Sequence, residues 1–219
     1  MNFGIILAAG QGKRFGQKKQ FYLIKNKPVI YYSLKKFNDS PDISKIIVVT
    51  NKTKIRYVQN LVKKYKFNKV IKVIAGGKER QDSVKNALRI LPDNGYVAIH
   101  DSARPLLNSA IIAQGFNYVK RYQACIPVID IADTVKELDG NFIKSTQNRA
   151  NFYLAQTPQF FEIRLLKQAY ADAEKDNFYA TDDASLVERL GKKVYAFRGI
   201  KSNIKITDKE DIRIIKNLL

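Results

Sequence analysis

A single cysteine and a single histidine among 219 residues remove several chemistries before any motif is considered. Cys125 lies in the apolar run ACIPVI, so it cannot staple the fold, and nothing beside it points to an activated thiolate. The chain has no Ser–His or Cys–His arrangement, and His100, at a strand end, reads as structural rather than catalytic. Long apolar runs are also missing: none approaches the ~18 residues that cross a bilayer. The opening MNFGIILAAG is too short an apolar segment for a signal peptide and runs straight into glycines, so it reads as a first strand. These absences make the cytoplasm the default compartment. Acidic residues are scarce, with 20 Asp and Glu against 39 Lys and Arg, a formal net charge of +19. Such an excess would suit a nucleic-acid binder. The lysines, however, are spread among Asn and Ile through the whole chain, with no RNA-recognition, helix-turn-helix or zinc pattern, so composition is the preferred explanation.

What is present is a regular alternation. Strand-like runs occur at Phe3–Leu7, Lys45–Thr50, Val70–Ile74, Tyr96–His100, Ala124–Ile129 and Lys193–Phe197. Helical patterns lie between them at Pro28–Phe37, with Pro at the favoured first position, Lys54–Tyr65, Glu79–Leu91 and Ser109–Tyr122. This order predicts right-handed βαβ units and a mostly parallel sheet covered on both faces, and near-continuous apolar strands such as KIIVVT agree. The length fits one domain, residues 1–219. The alternation breaks at about 134–155, which reads as a protruding hairpin with a turn at Asp139-Gly140. A lone hairpin is marginal by itself, so a second copy of the chain is expected to cover it.

In open α/β sheets ligands bind beyond the carboxyl ends of the strands, and the unusual residues cluster there. After the first strand comes LAAGQGKRFGQKKQF. Ala8, Ala9, Gly10 and Gly12 let backbone N–H groups approach an anion, and Lys13, Arg14, Lys18 and Lys19 add charge. The loop reads as a phosphate cradle rather than a mere tight turn, although it is neither GxxxxGK[ST] nor GxGxxG. After the third strand, AGGKERQDSV offers Gly76, Gly77, Arg80 and Ser83, equally readable as a glycine turn with Asp82 or Ser83 capping a helix. In AIHDSARPLL, Asp101 and Arg104 are either a local ion pair or ligands for hydroxyls, a metal or a phosphate. Further on, Thr157-Pro158 breaks the chain, and Thr181 with Asp182 resembles a helix cap. Lys205 sits in what reads as an alternating strand, where it could face a site or protect an edge.

Taken in order, LAAGxGxR, the KQ lysine, GGxxRxDSV, HDxARP, QTPQFF, TDxAS and NIKIT resemble the family of 2-C-methyl-D-erythritol 4-phosphate cytidylyltransferases, from position 7 to 207. The resemblance implies a Rossmann-like, three-layer nucleotide-diphospho-sugar transferase fold and a homodimer joined through the arm. It also implies CTP and a polyol phosphate as substrates. It places Ala8, Ala9, Gly10, Gly77, Arg80 and Ser83 at CTP. Lys19, Lys205 and Arg14 become the catalytic cations, with Arg14 and Lys19 on the triphosphate. Asp101, Arg104, Thr134, Arg149, Thr157, Thr181 and Lys205 fall on the methylerythritol phosphate, Arg149 acting across the dimer. The loop departs from the family in having Lys18 where Pro precedes the lysine, which leaves Lys18 and Lys19 as rivals; Gln20 favours Lys19. Ser102 replaces the usual Ala.

The implied reaction needs no general base, because a phosphate monoester with its second pKa near ~6 is already mostly dianionic at neutral pH. Cations and Mg²⁺, held mainly by the CTP phosphates rather than by protein ligands, would carry it. No membrane or nucleic-acid partner is expected, and the chain reads as the stand-alone form. The rival enzyme reading is a ribitol 5-phosphate cytidylyltransferase, disfavoured by LAAG and ARP. The rival of another class is a non-catalytic basic module that binds nucleotides or nucleic acid.

Overall fold

The computed structural model describes residues 1–12 and 15–219, so Lys13 and Arg14 lie outside the described residues. The chain opens with β1 (Asn2–Ala8), the small hairpin β2 (Leu23–Ile24) and β3 (Lys27–Pro28), then α1 (Val29–Asp39) and β4 (Lys45–Thr50). There follow α2 (Ile55–Lys64), β5 (Val70–Ala75), α3 (Arg80–Leu88), β6 (Tyr96–Asp101), α4 (Ser109–Tyr122) and β7 (Ala124–Asp130). Next come the hairpin β8 (Lys136–Asp139) and β9 (Phe142–Thr146), then β10 (Tyr153–Ala155) and β11 (Gln159–Glu162). The chain ends with α5 (Ile163–Lys175), α6 (Asp183–Arg189), β12 (Tyr195–Arg198) and α7 (Glu210–Leu218).

β1 lies inside the sheet, parallel to β4 on one side and β6 on the other, and β5 extends it beyond β4. The strand period of two sends Ile5 and Leu7 into one core layer with Val84, Leu88, Phe161 and Leu166. It sends Ile6 and Ala8 into the opposite layer with Leu34, Phe37, Ile112 and Phe116. Both faces are thus covered by helices, which is why KIIVVT is apolar along most of its length. A smaller cluster under α7 joins Phe15, Val29, Ala103 and Ile206 to Ile212 and Ile215.

The sheet is mixed, in a way local pattern did not predict. β11 enters between β6 and β7 and runs antiparallel to both, and β10 continues antiparallel along β7. β12 runs parallel along β7. The excursion of the chain between β7 and β11 brings it back in the opposite direction, so a strand-by-strand βαβ reading fails there. The amphipathic run Ile163, Leu166, Tyr170 and Ala173 marks α5, an element missing from the pattern reading although its three- and four-residue spacing is clear. Pro28 stands one residue before α1, at its cap, rather than at its first position.

The excursion forms its own two-stranded sheet. Asp139 pairs with Phe142, so Gly140 and Asn141 make the turn, with Gly140 at φ +58°. Phe142 is 81% and Ile143 64% exposed, with Leu138, Phe152, Tyr153 and Leu154 also bare. Exposed apolar side chains are thus concentrated on the hairpin and on the segment that follows it.

Candidate active site

The carboxyl ends of β1, β4, β5 and β6 open into a cavity of about 1060 Å³. Its walls include Ala8, Ala9, Gly10, Lys19, Gly77, Arg80, Ser83, Asp101 and Lys205, nine residues singled out from sequence. A smaller groove of about 750 Å³ runs along β7, β10 and β12 and contains none of them.

Backbone geometry makes the wall that follows β1. Gly12 has φ +68°, and a Cβ there would sit 2.0 Å from the Gln17 carbonyl oxygen. Around Gly10 nothing lies within 4 Å of a Cβ position, which leaves its cavity side open. Gln20, buried, donates from Nε2 to the carbonyls of Ala8 (2.8 Å) and Gly10 (2.9 Å), holding both ends of the Ala8–Gly10 bend. Sequence reading used Gln20 only as a register mark; a buried Gln beside a glycine loop is the signal for this bracing role. Lys19, in a one-turn 3₁₀ helix (Lys19–Phe21), faces the cavity, whereas the Lys18 ammonium lies 3.5 Å from Thr53 Oγ1 and outside the lining.

Across the cavity, α3 begins with a capping box: Glu79 is the N-cap and Asp82 its N3 partner. Neither Asp82 nor Ser83 is the cap. The Ser83 hydroxyl accepts from Gly77 N (3.1 Å) and donates to the Glu79 carbonyl (3.2 Å), closing the turn on itself. A Cβ on Gly76 would meet Ala9 Cβ at 2.5 Å, so the two glycine-rich loops touch only because that residue has no side chain. Asn51 and Lys52, just past β4, complete this rim and carried no sequence signal beyond being polar after a strand.

The acid at the cavity mouth is paired, but not locally. Asp101 Oδ2 binds Lys205 Nζ at 2.6 Å, and its Oδ1 lies 3.4 Å from Arg80 Nε. Burial acts to raise the Asp101 pKa; the Arg80 guanidinium and Lys205 ammonium outweigh it and hold the carboxyl well below the usual range. Arg104 instead donates to the carbonyls of Asn203 (2.8 Å) and Ala155 (3.5 Å), so the local Asp101–Arg104 side-chain pair is replaced by a brace on the 203–207 segment. That segment is not a strand: Ile206 N bonds the Ala103 carbonyl at 2.8 Å, and Asn203 Nδ2 bonds the Thr157 carbonyl at 2.8 Å. The alternation around Lys205 comes from Ile206, buried in the cluster under α7, and Ile204, partly buried against the same cluster.

The other sequence candidates lie outside the lining. The Thr157 hydroxyl is buried and committed to Asp101 N and His100. Thr181 is exposed before α6, where Asp182 caps by accepting from Ser185 N. Thr134 and Arg149 are exposed on the hairpin side, Arg149 donating to the Ala132 carbonyl. Arg14 lies outside the described residues. Among the described residues no three His, Cys, Asp or Glu side chains gather as a metal set. The carboxylates facing the cavity, Asp101 and Glu79, are occupied by cations and by the capping box. Cys125 is buried, and burial pushes its thiol up to about 12.

Comparisons with known proteins match nearly the whole chain. The family model of 2-C-methyl-D-erythritol 4-phosphate cytidylyltransferase matches residues 3–219. The 2-C-methyl-D-erythritol 4-phosphate cytidylyltransferase of Dictyoglomus thermophilum is 41% identical over 220 residues, covering 99% of this chain and 95% of its own. The solved 4-diphosphocytidyl-2C-methyl-D-erythritol synthase of Anaerococcus prevotii superposes with a TM-score of 0.88 at 29% identity, covering 100% of this chain and 97% of its own. For the 2-C-methyl-D-erythritol 4-phosphate cytidylyltransferase structure of Francisella tularensis the TM-score is 0.85 at 32% identity, with coverage of 100% and 99%.

Proposed function

This chain belongs to the family of 2-C-methyl-D-erythritol 4-phosphate cytidylyltransferases, and we propose that the cavity at the carboxyl end of its sheet is where it works. It is a nucleotidyltransferase that moves CMP from CTP to 2-C-methyl-D-erythritol 4-phosphate. The products are 4-diphosphocytidyl-2-C-methyl-D-erythritol and pyrophosphate, in the CTP-dependent step of the non-mevalonate isoprenoid pathway. The observation that carries the site assignment is the convergence of Lys19, Lys205 and Asp101 on one cavity walled by Ala8–Gly10 and Gly76–Gly77.

In this reading the cytidine lies against Ala8, Ala9, Gly10, Gly77, Arg80 and Ser83, and the triphosphate against Lys19. A phosphate oxygen of the acceptor attacks the α-phosphorus, a P–O bond forms, and the bond to the β-phosphate oxygen breaks to release pyrophosphate. The acceptor is a dianion at neutral pH, so no proton need be removed. The barrier is the approach of one polyanion to another, and Lys19 and Lys205 lower it by facing the charge that gathers on the pentavalent phosphorus. Arg14 joins them on the strength of the family motif. Asp101 receives acceptor hydroxyls once Lys205 turns to the acceptor phosphate. Arg104 and Thr157 act from behind, by holding the 203–207 segment and the Asp101 backbone. Thr181 is proposed from its motif at the start of α6.

Mg²⁺ would be held mainly by the triphosphate oxygens, whose charge it would help to neutralise. A cavity whose facing carboxylates are already engaged fits an ion carried mainly by the nucleotide. Thr134 and Arg149 complete the acceptor site from a partner subunit, an arrangement supported by the bare apolar strip of the hairpin. No helix among the described residues is long and apolar enough to cross a membrane, and the cytoplasm is the proposed compartment.

Pyrophosphate release measured with CTP and each acceptor in turn tests the reading. Release with 2-C-methyl-D-erythritol 4-phosphate and little with ribitol 5-phosphate is expected. The reverse preference, or tight salt-dependent nucleic-acid binding without turnover, would overturn it.

A further inference from the structure

Behind the cavity wall lie a buried carboxylate and a buried phenol, Asp183 and Tyr170, that the reaction as written does not use. Asp183, the first residue of α6, is fully buried. Its Oδ1 accepts from Arg80 Nη1 at 2.9 Å and from the Tyr170 hydroxyl at 2.6 Å, and its Oδ2 accepts from Arg80 Nη2 at 2.7 Å. Arg80 is the first residue of α3, so this fork-to-fork bridge joins the starts of two helices. Its remaining nitrogen, Nε, points the other way, 3.4 Å from Asp101 Oδ1, while Asp101 Oδ2 holds Lys205. A line of contacts thus runs from Tyr170 in the core to Lys205 at the cavity mouth.

As a device for stability such a bridge is weak, since burying two ions costs about what their attraction returns. What it supplies is direction. The start of α6 is anchored independently: Gln159 Oε1 accepts from Asp183 N (3.1 Å) and Ala184 N (3.2 Å), and Gln159 Nε2 donates to Asp182 Oδ2 (2.6 Å). Asp183 therefore presents a fixed pair of acceptors to the Arg80 fork. Without Asp183, the Arg80 fork would close on Asp101 with two nitrogens.

We propose that Asp183, braced by Tyr170, is a positioning residue: it turns the Arg80 fork away from the cavity and leaves Nε as a fixed cationic neighbour of Asp101. When Lys205 leaves Asp101 for the acceptor phosphate, that neighbour keeps the carboxylate ionised and in place for the acceptor hydroxyls. The inference rests on the transferase reading above, with Asp101 facing the acceptor.

The test compares wild type, Asp183→Asn, Arg80→Gln, the double variant and Tyr170→Phe in steady-state kinetics with both substrates, with CTP affinity followed by calorimetry. For Asp183→Asn a rise of about tenfold in acceptor KM and a loss of about 10- to 100-fold in kcat are expected, with CTP affinity kept within about threefold. Because Asp183 acts through Arg80, its substitution should add little in the Arg80→Gln background. Tyr170→Phe, which keeps every charge, should raise acceptor KM about threefold. A folded Asp183→Asn protein with wild-type kinetics overturns the proposal, as does an undiminished effect on top of Arg80→Gln. Should Asp183→Asn fail to fold, unchanged acceptor KM in Tyr170→Phe overturns it. A wild-type protein inert toward both substrates strikes the transferase reading and this inference together; an active one with insensitive variants strikes this inference alone.

Discussion

The hydroxyl of Thr157 lies 3.0 Å from Nδ1 of His100. The same oxygen accepts from Asp101 N at 3.2 Å, and because the Arg104 carbonyl beside Nε2 can only accept, the hydroxyl proton goes to Nδ1 of the neutral ring. Nδ1 is then an acceptor, and Nε2 carries the hydrogen that meets the Arg104 carbonyl at 3.2 Å. The only histidine is thereby a neutral strut, stacked on Phe37 with ring centroids 5.4 Å apart, and it fixes the strand end from which Asp101 projects.

This strut sets a pH dependence of stability. Burial, the largest cause, lowers the His100 pKa from 6.5 to about 4. The unfolded chain therefore takes up a proton that the folded one refuses, and stability falls as pH drops from about 6.5 towards 4. The full span is on the order of 3 kcal/mol, from about 2.5 units at ~1.4 kcal/mol each. Urea unfolding across that window should show the slope in wild type and lose most of it in His100→Asn; an equal slope in both would refute the assignment.

Thr157→Val removes the hydroxyl while keeping its shape. Two buried groups, Asp101 N–H and His100 Nδ1, lose a partner, for a cost of about 1–3 kcal/mol. The melting temperature should fall while CTP binding by calorimetry stays near wild type. A large loss of CTP affinity at unchanged stability would mean that the hydroxyl faces the nucleotide instead.

For the cations, Lys19→Ala and Lys205→Ala should each lower turnover by about 100-fold or more without loss of fold by circular dichroism. Lys18→Ala, whose ammonium lies near Thr53, should keep near-normal rates. A dead Lys18→Ala beside an active Lys19→Ala would reverse the assignment of the loop lysine.

The hairpin gives a paired test of assembly and acceptor binding. Phe142→Asp places a charge on the most exposed apolar ring of the strip and should shift sedimentation from two chains to one. Arg149→Ala should raise acceptor KM about tenfold or more with CTP affinity retained. Wild-type protein sedimenting as a single chain would remove the partner-subunit role.

What the sequence determined alone was whatever depends on neighbours along the chain. Apolar period and turn residues mark β4 at Lys45–Thr50 and α4 at Ser109–Tyr122 to the residue, because strand alternation and helix amphipathicity are local. The glycine-rich bend after β1 was legible for the same reason: small residues and cations crowd into one loop. Tertiary structure decided the rest. The insertion of β11 between β6 and β7, antiparallel to both, depends on where a long excursion returns and leaves no local periodicity. Arg80 and Asp183 are 103 positions apart, so the bridge between them exists only once two helix starts meet. Lys205 reached Asp101 not as a strand residue but because Ile206 and Asn203 are buried on either side of it, lifting the lysine into the cavity. Charge pairing at this site is a property of packing, and packing is set by contacts that the order of residues does not display.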